Sequence, residues 1–307
     1  MNIPPIGWVG IGNMGNAIVQ NLLKNGCGVN VYNRTKEKEK EVVAAGAKSQ
    51  ESLQQLVHNS SIIFTMLSDD EAVKEVYSGE EGLLSHSPSG KIFVDMSTVA
   101  PETSRYLARL CNDSRNQFLD APVSGSVKPA QDGTLIIMAG GPVDAFEKVK
   151  PLFDIIGKLT LHLGENGAGS SAKLAINYLL GLHLQGLAET VLFAGDNGIK
   201  WEDMLTIINE GALANGITKG KAPSILNNQY PAAFALKHLA KDLRLAGQQG
   251  LQTPLFPPLL QSFQQALQDG LGEEDVMVIF KWLQENRGSH PAVDNVYPYD
   301  YVSDYEN

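Results

Sequence analysis

The sequence predicts an α/β protein: an N-terminal doubly wound sheet, a long linking helix, and an all-α C-terminal domain. Three observations predict it. A short apolar strand, Ile6–Val9, runs straight into Gly10-Ile11-Gly12-Asn13-Met14-Gly15 and then into an amphipathic helical pattern. Apolar strand-like runs then alternate with helical patterns as far as residue 166. Beyond Ala168 the strand signals vanish, and long apolar helical periodicities replace them. The pattern divides the chain into a Rossmann-type dinucleotide-binding domain over 1–166 and an all-helical domain over 167–287.

Composition is compatible with two packed cores. The chain has 307 residues, 43% hydrophobic and 19% charged, as in ordinary globular proteins. Lys and Arg number 24 against 34 Asp and Glu, a net charge of −10 that argues against nucleic acid or an anionic membrane as partner. A local positive pocket for a small anion remains compatible with it. The two cysteines, Cys27 and Cys111, lie far apart, as expected of thiols in a reducing compartment. No apolar run is long enough to span a membrane and the N-terminus carries no basic leader, so a cytoplasmic protein is expected. The six histidines lack ligand spacing, and no metal site is expected.

The first element carries the most information. Glycines at 10, 12 and 15 permit a tight turn and the close approach of a pyrophosphate, which rests on the N-terminus of the following helix. Gly10, Ile11, Gly12, Asn13, Met14 and Gly15 are therefore candidate cofactor residues. The second strand, Val29–Tyr32, ends in Asn33-Arg34-Thr35. A site selective for NAD would place a carboxylate here to hold the ribose 2′-hydroxyl. This chain offers an amide, a guanidinium and a hydroxyl, and Arg34 can pair with a 2′-phosphate through two hydrogen bonds. NADP(H) is the preferred cofactor, with NAD(H) possible. The plainer reading leaves Arg34 on a wet helix start.

Ile62–Leu67 reads as a buried strand, with Ser68-Asp69-Asp70 capping the next helix. Its end, Met66 and Leu67, joins the cofactor set, because doubly wound sheets bind ligands at the carboxyl ends of their strands. Lys91–Asp95 is another strand, and Thr98 in the loop after it is a candidate partner for a nicotinamide or substrate oxygen. Phe118–Asp120 leads into the turn Ser124-Gly125-Ser126, whose backbone amides form a plausible anion cradle. Leu135–Ala139 and Leu159–Leu163 read as further strands around a helix over Val143–Phe153.

The stretch Gly164–Leu180 runs from a glycine-rich turn into an apolar helix and sets Lys173 and Asn177 four residues apart, on one face. A lysine held against apolar surface is a plausible proton donor, because desolvation favours its neutral form. This helix is expected to run from 168 to about 197 as a spine between the domains. Further helices are expected over Asp203–Asn209, Phe234–Gln249, Pro257–Gly270 and Glu273–Arg287. The segment 288–307, rich in Tyr and Asp, reads as a disordered tail.

Four blocks now stand in order: Gly10-x-Gly12-x-x-Gly15, Asp120-Ala121-Pro122-Val123-Ser124-Gly125, Gly169-Ser170-Ser171-Ala172-Lys173-Leu174-Ala175-Ile176-Asn177, and Lys241-Asp242-Leu243. Together they resemble the β-hydroxyacid dehydrogenase family, which includes 3-hydroxyisobutyrate dehydrogenases and tartronate semialdehyde reductases. The resemblance extends to about Arg287. Asn33-Arg34-Thr35, Ser126 in place of a second glycine, and the stretch from Phe234 to Asp242 are most similar to the glyoxylate and succinic semialdehyde reductase branch.

The resemblance implies a role for each matching residue. Lys173 would protonate the carbonyl oxygen as hydride arrives, and Asn177 would orient the substrate. Ser124 and Gly125 would bind its carboxylate or carbonyl. Thr98 would sit near the nicotinamide, and Lys241 would reach over the cofactor site. The plainer reading of Lys241-Asp242 is an exposed helical pair. The implied activity is NADPH-dependent reduction of small carboxylate-bearing aldehydes, with a homodimer or homotetramer as the assembly. The alternatives are 3-hydroxyisobutyrate or tartronate semialdehyde as substrate, and a cofactor-binding scaffold without turnover.

Overall fold

A computed structural model describes residues 4–85 and 87–286. The first half alternates strand and helix: β1 (Ile6–Val9), α1 (Asn13–Lys24), β2 (Val29–Tyr32), α2 (Lys40–Ala44), β3 (Lys48–Ser49), α3 (Leu53–His58), β4 (Ile62–Thr65), α4 (Asp70–Ser78), β5 (Ile92–Asp95), α5 (Pro101–Asp113) and β6 (Gln117–Asp120). All six strands are parallel in the order β3-β2-β1-β4-β5-β6. The order reverses between β1 and β4, where open sheets of this kind bind ligands. Register aligns the carboxyl ends of the central strands: Val9 pairs with Tyr32 and Thr65, Thr65 with Asp95, and Asp95 with Asp120.

The strands read as unbroken apolar runs because both sheet faces are covered. Ile18, Leu22 and Phe153 pack on one face, and Leu56, Tyr77 and Leu107 on the other. Trp8 stacks on Phe64 with ring centroids 5.4 Å apart. β4 ends at Thr65, two residues before the expected Leu67. Met66 N donates to Val9 O, and the chain then turns beneath Gly10. β5 likewise begins at Ile92 rather than Lys91. The expected cap at Asp69 is present: its side chain accepts from Ala72 N.

The two later strands do not extend this sheet. β7 (Val123–Ser124), α6 (Val127–Gln131), β8 (Leu135–Ala139), α7 (Val143–Ile156) and β9 (Gly157–His162) form a separate unit with strand order β7-β8-β9. Ala121 N still donates to Asp95 O, but the next residue, Pro122, has no N–H with which to continue the ladder. The chain therefore leaves the sheet, and an antiparallel bridge between Asp120 and Gly140 joins the two sheets. β9 begins two residues before the expected Leu159 and ends at His162.

The remaining helices are α8 (Ala168–Asp196), α9 (Trp201–Glu210), α10 (Gly216–Asn227), α11 (Leu236–Gln248), α12 (Phe256–Gln268) and α13 (Ile279–Glu285). At 29 residues, α8 is about 44 Å long. Its buried face, with Leu184, Ala188 and Val191, lies in the core formed with α9, α10, α11, α12 and α13, while Ile176, Leu179 and Phe193 stay exposed. Pro257 and Pro258 fall in the first turn of α12, where a missing N–H costs least. The expected helix over Glu273–Arg287 is shortened to α13, preceded by a 3-10 turn at Val276–Val278. Asp275 prevents an earlier start. It is held in extended conformation while its carboxylate accepts from Ala233 N, Phe234 N and Met277 N and pairs with Lys221. The 288–307 segment lies outside the described residues.

Candidate active site

The nucleotide end is built by the glycine turn. Gly10 has a φ of +99°, and a Cβ there would lie 2.2 Å from Met66 O. A Cβ on Gly15 would lie 2.1 Å from Gly10 O, so helix α1 and the turn meet with no room for a side chain. Gly12 is different: a Cβ added there meets nothing within 4 Å. Gly12 is the N-cap of α1, with no side-chain cap and no acidic residue in the first turn. Unclaimed amides at a helix N-terminus facing open space fit the pyrophosphate of a dinucleotide.

Asn33 secures this turn. Its Oδ1 accepts from Ile11 N at 2.8 Å, and its Nδ2 donates to Thr35 O. Arg34 and Thr35 are exposed beside it. The buried Glu39 carboxylate accepts from Asn33 N at 2.6 Å, from Lys36 Nζ and from Ser49 Oγ, so its charge faces the protein. A cleft of about 210 Å³ opens next to the turn, lined by Ile11, Gly12, Asn13, Asn16, Glu37, Lys38 and Glu41. Glu41 is occupied by Asn16 Nδ2 at 2.5 Å.

Across the carboxyl ends of the strands, α8 meets α11. Asn177 is buried and donates from Nδ2 to Asp242 Oδ2 at 2.6 Å. Asp242 Oδ1 lies 3.0 Å from Lys241 Nζ. Lys241 Nζ also donates to the backbone oxygen of Thr98, which ties α11 to the loop after β5. Lys173, one turn before Asn177, is partly buried. Burial lowers its pKa below the ordinary lysine value; the Asp242 charge opposes that and the Lys241 charge adds to it. Lys173, Asn177, Thr98 and Lys241 thus fall in one cluster around Asp242. Met66 and Leu67 lie against Gly10. Ser124 and Gly125 sit on and after β7, joined to α8 through β8, which packs on that helix.

Asp242 is the residue that sequence reasoning missed. The plainer reading of Lys241-Asp242 is an exposed helical pair, but Asp242 is only 2% exposed. A signal was available, since Leu239, Asp242 and Ala246 follow the i, i+3, i+7 spacing of the buried face. Among the described residues there is no cluster of three or more His, Cys, Asp or Glu able to hold a metal ion. No helix among them is long and apolar enough to cross a membrane.

Comparison with known proteins follows the same division. A family model described as the NAD binding domain of 6-phosphogluconate dehydrogenase matches residues 5–164. A second, described as NAD-binding of NADP-dependent 3-hydroxyisobutyrate dehydrogenase, matches residues 167–283. The chain belongs to the 3-hydroxyisobutyrate dehydrogenase-like family of β-hydroxyacid dehydrogenases. It is 37% identical over 286 residues to glyoxylate/succinic semialdehyde reductase 1 of Arabidopsis thaliana, covering 92% of this chain and 99% of that protein. To 2-(hydroxymethyl)glutarate dehydrogenase of Eubacterium barkeri it is 35% identical, with 92% and 96% covered. Among solved structures, Psf3 in complex with NADP+ and 2-OPP superposes with a TM-score of 0.84 at 26% identity, covering 91% of this chain and 99% of that one. As a member of this family, the protein is an oxidoreductase that uses a nicotinamide cofactor.

Proposed function

We propose that this β-hydroxyacid dehydrogenase reduces small carboxylate-bearing aldehydes with NADPH, converting succinic semialdehyde to 4-hydroxybutyrate and glyoxylate to glycolate. The observation that carries the reading is Lys173, partly buried one turn before Asn177 on α8, where burial and the Lys241 charge lower its pKa against the Asp242 charge. Bound NADPH would supply the hydride to the carbonyl carbon. Lys173 gives its proton to the carbonyl oxygen, so that carbon gains C–H and oxygen gains O–H. Asn177 orients the substrate from the same helix face, and Ser124 with Gly125 receives its carboxylate. Thr98 and Lys241, joined by the hydrogen bond from Lys241 Nζ to Thr98 O, would hold the nicotinamide end of the cofactor.

Gly10, Ile11, Gly12, Asn13, Met14 and Gly15 would cradle the pyrophosphate, and Met66 and Leu67 would line the cofactor crevice. The absence of a free carboxylate at the end of β2, together with exposed Arg34, supports NADPH over NADH. The cofactor domain would span residues 1–166 and the substrate domain 167–287. Exposed Ile176, Leu179 and Phe193 on α8 support a homodimer or homotetramer.

The test is NADPH oxidation across glyoxylate, succinic semialdehyde and tartronate semialdehyde, with 3-hydroxyisobutyrate assayed in the oxidising direction and NADH run alongside. The first two aldehydes should give the highest kcat/KM. Equal efficiency with the branched or three-carbon acids would overturn the substrate assignment, and equal use of NADH would overturn the cofactor assignment.

A further inference from the structure

We infer that Asp120 is a positioning residue: its buried carboxylate caps α8 from a neighbouring strand and so sets where Lys173 stands over the sheet. The inference rests on Lys173 being the proton donor. Asp120 closes β6, and its Oδ1 accepts from Gly167 N at 2.8 Å while Oδ2 accepts from Ser170 N at 3.0 Å. Those amides belong to the opening turn of α8 and have no partner inside the helix. No side chain of α8 caps them, because the N-cap is Gly167 at a φ of +95°. A side chain 47 residues earlier does so instead.

The joint has little slack. A Cβ on Gly169 would lie 2.2 Å from Met138 O and 2.6 Å from Asp120 O. Asp120 also exchanges backbone hydrogen bonds with Gly140, and Ser170 Oγ meets Ser104 Oγ of α5 at 2.9 Å. The first turn of α8 is therefore fixed along the helix axis and in rotation. Lys173 lies three residues beyond Ser170, within one turn of that anchor, and inherits its position. Burial raises the Asp120 pKa, and the hydrogen bonds from Gly167 N, Ser170 N and Asn166 Nδ2 act against that rise.

Asp120→Asn preserves shape but sets an amide group against one of the two donors. In the cofactor-free variant, hydrogen exchange of the 167–173 amides should speed up at least tenfold, while β1 and β4 stay protected. NADPH should bind within about twofold of wild type. Its kcat should fall roughly 10- to 100-fold with little change in aldehyde KM, because displacement of a catalytic group costs rate rather than affinity. Asp120→Glu retains the carboxylate and should restore protection and bring kcat to within about threefold of wild type.

Wild-type exchange and kcat in a folded Asp120→Asn would overturn the inference. So would an Asp120→Glu variant that leaves the segment unprotected or turns over as slowly as the Asn form. If Asp120→Asn does not fold, the Glu variant alone decides on the same readings. Lys173→Ala separates the two levels: retained turnover there removes the proton-donor reading, whereas a dead Lys173→Ala beside a wild-type Asp120→Asn removes only the positioning role.

Discussion

Asn177 Nδ2 and Asp242 Oδ2 are joined by a 2.6 Å hydrogen bond that crosses from α8 to α11, one turn from Lys173. The bond holds a buried negative charge where it can act on the Lys173 ammonium, against the opposing effects of burial and of Lys241. Asn177 is thereby a partner of Asp242 as well as a candidate contact for substrate. One amide hydrogen is committed to the carboxylate, so the side chain has a single orientation in which to meet a ligand.

Asp242→Asn removes the one influence that raises the Lys173 pKa. The pKa should drop further, and the alkaline limb of kcat/KM for aldehyde reduction should move to lower pH, since reduction needs the protonated amine. Alcohol oxidation, which needs the neutral amine, should set in at lower pH. Chemical denaturation should show a loss of about 1–3 kcal/mol, because Lys241 loses its buried counter-charge. An unmoved alkaline limb would show that Asp242 does not act on Lys173.

Lys173→Ala should lower kcat by roughly 10²–10⁴ while leaving NADPH affinity within about twofold, as expected for loss of a general acid. Lys173→Arg should not rescue it, because a guanidinium stays protonated at working pH. Steady-state kinetics with succinic semialdehyde, paired with cofactor fluorescence titration, checks both. Recovery by the arginine variant would mean that charge, not proton transfer, is what the position supplies.

Arg34 is exposed at the end of β2, beside the glycine turn that Asn33 fastens. Arg34→Ala should weaken NADPH binding roughly ten- to hundredfold, the loss expected for charge-assisted hydrogen bonds. Binding of NADH should be unchanged. Calorimetric titration with both nucleotides decides it; a parallel loss would place Arg34 away from the 2′-phosphate.

Asp95 is fully enclosed, and burial pushes its carboxyl up to about 6, despite hydrogen bonds from Thr65 and Ser97 and with the Asp120 charge adding to the rise. A raised folded-state pKa means that the folded chain holds the proton more tightly than the unfolded chain. The associated stability is present below about pH 4 and is lost as pH rises to about 6, a difference of roughly 3 kcal/mol. Asp95→Asn cannot titrate. Its stability relative to wild type should therefore improve by that order between pH 4 and 7, and then level off. Urea midpoints across this range give the answer, with a constant offset counting against the shift.

Much of this protein was legible residue by residue. The glycine turn between β1 and α1, the alternation through β6 and the long apolar course of α8 are local patterns. Periods of 2 and 3.6, and glycines where a Cβ has no room, announce themselves within a dozen residues. The four sequence blocks also carried the family. What could not be read locally were the links between distant parts of the chain. Asn177 and Asp242 are 65 residues apart, Asp120 and Gly167 are 47, and Asn33 reaches back 22 to Ile11. The departure of β7–β9 into a second sheet belongs with them. A carboxylate in a sequence carries no mark of whether it will face water or a buried amide. Its charge, partners and pKa are set only when folding removes the solvent and brings remote backbone groups within hydrogen-bond reach.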